Sequence, residues 1–234
     1  MTALKPWSVT AVNLAEHAEN SIHTDAGARA AGFSGALVAG VTTYAYLTHL
    51  PVSAWGIDWL TRGGAEVRFL QPVMDRDRVD IAPTNGMSVG ATVDGQTRAV
   101  AEFVEQAEPI PIRDGPMLAP IEFVLDHSWS DYGDRAGDDS AIYEHRRIAH
   151  ATSWPRIANQ FCHEQLVTGS WIHVRSRIAH HGVAPVGSLV RATAVVTDRF
   201  DSRAGERALL DIRISADGEA VASMEHEAII SLPD

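Results

Sequence analysis

Asn20-Ser21-Ile22-His23-Thr24-Asp25, running on through Ala31-Gly32-Phe33 to Leu37-Val38-Ala39-Gly40-Val41, is the stretch on which the reading of this chain turns. A polar loop delivers one histidine, a short helix follows, and a glycine-punctuated passage leads into a long apolar helix. Thr24 stands where a hydroxyl can accept an orphan N–H of a helix over Asp25 to Ala31, and Gly32 stands where that helix would end. From Val41 to about Leu60, Tyr44, Leu47, Val52 and Trp55 recur at roughly helical spacing, with Pro51 expected to kink or break the helix. A histidine beside the amino end of a buried helix suits chemistry on a carbonyl. Backbone N–H groups there stabilise a developing oxyanion while the imidazole moves a proton.

Outward from this stretch the chain turns to strands. Trp7 to Leu14 alternates like a strand, and Ala15 to Thr24 reads as loop. After the Arg62-Gly63-Gly64 turn come strands at Ala65 to Leu70 and Arg78 to Ala82. Met87 to Val93 and Thr97 to Glu105 flank Asp94-Gly95 as a hairpin. Glu108 to Pro120 carries Pro109, Pro111, Pro116 and Pro120, a linker composition. Ile121 to Trp129 reads as a strand, and the acidic stretch Ser130 to Ser140 as a mobile loop. Helix is expected from about Ala141 to Gly169, with a break before Pro155. Strands then return over Trp171 to Ala179, Ser188 to Phe200, Arg207 to Ala216 and Glu219 to Leu232, the last two joined by Asp217-Gly218.

Each half therefore has helix first and then a long antiparallel run ending near an Asp-Gly hairpin. Helices segregated from antiparallel strands indicate an α+β layer fold. Two such units pair into a pseudo-symmetric dimer that buries faces neither hides alone. The expected boundaries are an N-terminal unit over 1–108, a linker over 109–120 and a C-terminal unit over 121–234.

The 234 residues suffice for one large or two small domains, and 45% hydrophobic with 21% charged residues is ordinary for a globular protein. A net charge of −11 argues against nucleic acid as a partner. The single cysteine, Cys162, excludes an intrachain disulfide and reads as buried packing. The start lacks the apolar run of a signal peptide, and the apolar region around Leu37 to Trp55 is too interrupted to span a membrane. A cytoplasmic location with no membrane partner is the expectation.

The residues around 20–41 resemble the signature of the MaoC-like group of the hot-dog superfamily, which includes R-specific enoyl-CoA hydratases and related acyl dehydratases. That signature is Gly-Asp-x-Asn-Pro-x-His, then an acidic and alanine-rich turn, Gly-Phe, and an aliphatic-rich His-Gly before the central helix. Asn20, Ile22, His23, Asp25, Ala28, Gly32, Phe33 and Gly40 fall into the matching places. Val67-Arg68-Phe69-Leu70-Gln71-Pro72-Val73 resembles the family's next strand, and the second half, through Trp171-Ile172-His173, resembles a divergent repeat. The resemblance implies a double hot dog: two antiparallel sheets, each wrapped around a central helix, forming a pseudo-dimer. It also implies a hydratase or dehydratase, a carbon–oxygen lyase, acting on an enoyl or 3-hydroxyacyl thioester of coenzyme A or a carrier protein. No cofactor is implied, and further pairing into a homodimer of double hot dogs is.

One departure bears on mechanism. The catalytic aspartate of the family lies five residues before the histidine, where this chain has Ala18. His17 stands in the glycine place, Ser21 in the proline place and Ala39 in the place of the second histidine. Alanine cannot orient a water, so the Asp/His mechanism does not transfer intact. His23 is the expected acid/base, with Asn20 and Asp25 as its catalytic neighbours; an Asx turn suits Asn20 equally, and Asp25 also suits a hydrogen bond to the loop or, ahead of that, a helix start. Gly40, Ala39, Val41 and Tyr44 are the expected substrate-binding residues, Gly40 through its amide. Glu16, Glu19 and His17 read first as a solvated face, although each offers a group to replace the missing carboxylate. Trp171 and His173 share a strand face and read as core or interface ahead of chemistry. His180-His181 is not a metal pair, because neighbouring strand residues point to opposite faces, and no metal is expected. Arg146, Arg147, Arg175 and Arg177 are salt-bridge partners or contacts for coenzyme A phosphates. Two rival functions stand beside the hydratase: an acyl-thioester-binding protein without catalysis, favoured by Ala18, and a thioesterase using Glu16 or Glu19.

Overall fold

Alternating strands fold against a long apolar helix in the first half and a shorter amphipathic helix in the second. The computed structural model describes residues 2–167 and 169–232. The outermost residues of the expected units, 1 and 233–234, and residue 168 of the expected helix 141–169 lie outside the described residues. The first half runs β1 (Trp7–Thr10), two 3-10 turns (Ala15–His17 and Ser21–His23), α1 (Asp25–Ala30), α2 (Gly40–Arg62), β2 (Gly64–Phe69), β3 (Arg78–Asn85), β4 (Ser88–Val93) and β5 (Gln96–Val104). The second runs β6 (Ile121–Val124), a 3-10 turn (His127–Trp129), α3 (Tyr132–Ala136), α4 (Ile142–Arg146), α5 (Ser153–Gln165), β7 (Ile172–His180), β8 (Leu189–Ser202), β9 (Gly205–Ala216) and β10 (Glu219–Ser231).

Instead of two separate sheets, the strands form one ten-stranded sheet in the order β1-β3-β4-β5-β2-β7-β10-β9-β8-β6. The second half repeats the order of the first in reverse, and β2 and β7 join the halves. They pair antiparallel from Gly64 opposite Ala179 to Arg68 opposite Arg175. Each half thereby supplies the partner for the other's open edge, where unpaired N–H and C=O groups invite pairing. Both Asp-Gly hairpins form: Asp94 and Gly95 have φ 50° and 75°, Asp217 and Gly218 have φ 51° and 89°. Those left-handed pairs match the twist of the strands they join.

α2 lies buried on the sheet, with Tyr44, Tyr46, Leu47 and Trp59 sealed from solvent. It stays helical through Pro51, and the kink expected there falls at Gly56 (φ 58°, ψ −139°). Proline costs the helix one hydrogen bond, whereas Gly56 takes a backbone conformation that side chains disfavour. The break expected before Pro155 is present: α4 ends at Arg146 and α5 begins at Ser153, with Pro155 in its first turn, where its missing N–H would have no helical partner.

The acidic stretch 130–140 is the largest difference from expectation. It carries α3 and is tied along α2 rather than mobile. On α2, Thr42, Tyr46 and His49 lie four and three residues apart, on one face. Thr42 Oγ1 is 2.7 Å from Tyr132 Oη, Tyr46 Oη donates to the Ala136 carbonyl at 3.0 Å, and His49 Nδ1 is 2.6 Å from Asp138 Oδ1. Three side chains along about two turns of one helix thus hold a segment of the other half. No described helix is long and apolar enough to cross a membrane.

Candidate active site at the seam of the two halves

The loop before α1 folds back through its own polar groups. Thr24 Oγ1 accepts from the Gly27 amide at 3.2 Å, the Leu37 amide donates to the Ile22 carbonyl, and Asn13 Nδ2 donates to the His23 carbonyl. These contacts set His23 in the wall of a cavity of about 770 Å³. Asn20, Val38, Ala39 and Gly40 line it from the first half, and Arg156, Asn159, Trp171 and His173 from the second. The site is therefore a seam, and neither half closes it alone.

His23 Nδ1 lies 2.8 Å from the Leu37 carbonyl oxygen. Only an N–H satisfies a carbonyl, so Nδ1 carries the proton and Nε2 of the neutral ring keeps a lone pair. Burial lowers the pKa of His23 against that hydrogen bond, which favours the charged form. The ring is thus a neutral base at pH 7.

His17 also lines the cavity, and its ring centroid is 5.9 Å from that of His23, edge to face. Its Nε2 is 2.9 Å from Tyr132 Oη, which in turn meets Thr42 Oγ1. Burial, and after it the neighbouring His23, lower His17 to about 4. Burial also pushes the Tyr132 phenol up, so the hydroxyl stays protonated. Beside this pair, Glu16 is held by Arg135 and lies 3.3 Å from Arg156 Nη1, whose guanidinium stacks 4.3 Å from the Trp129 ring centroid. Glu16 is therefore occupied in ion pairs with two arginines. Glu19 is exposed, 3.7 Å from His163.

The other expected residues divide. Asn20 is buried in the cavity wall, where Nδ2 donates to the Trp171 carbonyl at 2.9 Å and Oδ1 has no partner in the protein. It fastens the loop to the start of β7. Ala39 and Gly40 line the cavity. Asp25 does not: its Oδ1 accepts from the Ala36 amide and its Oδ2 meets exposed Arg29. Its short side chain closes the loop after α1, and it is no neighbour of His23 in the cavity wall. Val41 and Tyr44 point into the core, fully buried and outside the cavity wall. Val38 and Thr43 line it instead. Cys162 is buried and its thiol is pushed up to about 12 by that burial, which makes it inert. His180 accepts from Trp154 Nε1 while His181 meets Ser223, so the two serve different surroundings. Arg175 pairs with Glu225 and Glu227.

Tyr132 and Arg156 escaped the sequence reading, since both come from the second half: Arg156 lines the cavity, and Tyr132 stands behind its wall against His17. The spacing of Thr42, Tyr46 and His49 on one helical face was the available signal, because polar groups on a buried helix demand partners.

No family model matches the sequence, and no curated protein is similar to it. Solved structures match along nearly its full length. A MaoC-like dehydratase superposes with a TM-score of 0.64 at 13% identity, over 99% of this chain and 97% of that one. RV0216 of Mycobacterium tuberculosis, described as having a double hot-dog fold, gives 0.67 at 10% identity over 98% and 96%. This chain has the double hot-dog fold of MaoC-like proteins. A Lactobacillus plantarum protein, described provisionally as an oleoyl thioesterase, gives 0.50 at 10% identity over 100% and 98%. Similar folds are thus found in proteins named as a dehydratase and as a thioesterase, and the choice between such activities rests on side chains.

Proposed function

We propose that this double hot dog is a hydratase or dehydratase of enoyl or 3-hydroxyacyl thioesters, working with a pair of histidines in place of an aspartate and a histidine. One observation carries the reading: the neutral rings of His17 and His23 meet 5.9 Å apart in the wall of a cavity that also contains Gly40, the first residue of α2. In the hydration direction, His23 Nε2 takes a proton from water as the oxygen bonds to the β carbon. The π electrons move to the thioester oxygen, where the Gly40 amide and the positive end of α2 stabilise them. The enolate then takes the proton from His23 at the α carbon, so one base serves both transfers. His17, anchored by Tyr132, holds the water that Ala18 cannot.

The cavity suits an acyl chain with a polar mouth, where α5 presents Arg156, Asn159 and His163. The carrier is coenzyme A or a carrier protein. Residues 1–108 and 121–234 form the two hot-dog units joined by 109–120, and two copies pair into a dimer. Thioester hydrolysis is the weaker reading, because Glu16 is tied to two arginines and Glu19 faces solvent.

The test is loss of enoyl absorbance with crotonyl-CoA and longer enoyl-CoAs, run beside a thiol reagent. Hydration that disappears in a folded His23→Ala variant supports the proposal. Thiol release without hydration selects the thioesterase, and tight binding without either selects an acyl-binding protein.

A further inference from the structure

Behind the cavity wall lies a polar chain that the proposed reaction does not yet use. His173 Nε2 is 2.8 Å from Ser176 Oγ, and Ser176 Oγ is 2.9 Å from His226 Nδ1. All three are buried, Ser176 and His226 completely. The two rings lie 4.3 Å apart, and Phe69 covers His173 from 4.6 Å. Both outer nitrogens, His173 Nδ1 and His226 Nε2, are sealed by protein and have no hydrogen-bond partner. Buried polar groups are nearly always satisfied, so such an end calls for a ligand or a reason.

The two ends differ. His226 sits within the sheet, whereas His173, 6% exposed, lines the cavity. A Cβ placed on Gly40 would lie 3.5 Å from His173 Nδ1, so the nitrogen faces the start of α2. No side chain caps that helix. A helix start with free donors and an unpartnered buried imidazole beside it form one concave polar corner.

We propose that His173 is a second donor to the substrate carbonyl, its Nδ1–H set beside the Gly40 amide and fixed by the Ser176–His226 relay. This rests on the thioester reading above and assigns the corner where the oxyanion develops. A serine between two imidazoles has one proton to give. When it gives that proton to His173 Nε2, it accepts from His226 Nδ1–H, and the remaining proton sits on His173 Nδ1. The opposite arrangement strands an N–H on His226 inside the sheet, the costlier orphan, since buried donors are rarely left unpaired. Burial, with the neighbouring His226, holds His173 well below the ordinary histidine range, and burial lowers His226 to about 3. His173 therefore stays neutral and donates a hydrogen bond without giving up its proton. Ser176 and His226 are positioning residues.

Nitrogen-15 NMR of the ring nitrogens, assigned by loss of signals in His173→Asn, tests the tautomer in the whole protein, with acetoacetyl-CoA as the enolate-forming probe. The expected result is a protonated Nδ1 on His173 whose signal shifts when the probe binds. In crotonyl-CoA hydration, His173→Leu should lower kcat by about 10²–10³-fold with a smaller change in KM, as loss of one oxyanion donor does. His173→Asn, which keeps an N–H near the same place, should recover part of that loss. Ser176→Ala should move the His173 proton to Nε2. A bare Nδ1 in the native protein, or full turnover in a folded His173→Leu variant, overturns this assignment and leaves the hydratase reading standing. A native protein that neither binds nor hydrates the thioesters overturns that reading, and this one with it.

Discussion

His17 and Tyr132, 115 residues apart in sequence, meet through an Nε2 to Oη distance of 2.9 Å, and Tyr132 passes the contact on to Thr42 on α2. The second half thereby fixes the orientation of a ring delivered by the first. Tyr132→Phe keeps the ring and removes the hydroxyl, leaving His17 Nε2 and Thr42 Oγ1 without their common partner. The expected outcome is a loss of roughly 1 kcal/mol in stability, the scale of a buried hydrogen bond. Hydration should fall by about tenfold or more, within the range that positioned proton-transfer groups contribute. Chemical denaturation and steady-state assay of the same preparation measure both. Unchanged turnover at reduced stability would show that the hydroxyl holds the seam and not the reaction.

The histidine pair has a pH signature. Burial lowers the pKa of both rings, His17 to about 4. A base with a depressed pKa remains unprotonated further into acid, so the acidic limb of kcat/KM should lie below ~6.5, the ordinary histidine value. An Asp/His dyad uses a charged carboxylate that would raise its neighbour instead. The pH profile of crotonyl-CoA hydration measures this, and an acidic limb at or above neutrality contradicts a neutral pair.

The parts that local chemistry dictates were legible in the chain. Thr24 caps α1, Asp94-Gly95 and Asp217-Gly218 turn their hairpins, and His23, Asn20 and Gly40 reach the cavity. Those depend on neighbours a few residues away. The acidic stretch 130–140 read as mobile because its composition is that of a loop, and its partners are Thr42, Tyr46 and His49, about ninety residues earlier. Asp25 matched a family position, and its carboxylate serves the Ala36 amide, a loop hydrogen bond that its sequence place also allowed. The join of β2 to β7 was also hidden, since an alternating strand does not record which edge it will meet.

Asp138 supplies a stability prediction. It is buried, and burial alone would raise its pKa. Hydrogen bonds from His150 and His49 outweigh that and hold it at about 2, below its ordinary 3.8. Because the folded value is the lower one, its stabilisation is fully present above pH ~4 and lost as pH falls towards 2, on the order of 2 kcal/mol. Buried His17, His180 and His226, lowered to about 4, 3 and 3, add a separate loss that begins below pH ~6.5, where the unfolded chain takes up protons first. Urea unfolding at pH 7, 5 and 3 should show falling stability at each step. Asp138→Asn should be less stable at pH 7, with the gap to wild type reduced by roughly half at pH 3. A gap that stays constant would mean that Asp138 does not carry this ionisation.

Gly40 separates packing from chemistry at the start of α2. A methyl group there would sit 3.5 Å from both His173 Nδ1 and the Phe69 ring, which is ordinary van der Waals contact. The backbone is helical from this residue, so alanine fits its conformation and limits the unfolded chain. Gly40→Ala should therefore fold with unchanged or slightly raised stability, by up to about 1 kcal/mol. The methyl group nevertheless fills the corner where a carbonyl oxygen would approach the amide. Turnover of crotonyl-CoA should fall by about 10²-fold, comparable to losing one oxyanion donor. A variant as stable and as active as wild type would place the carbonyl somewhere other than the start of this helix.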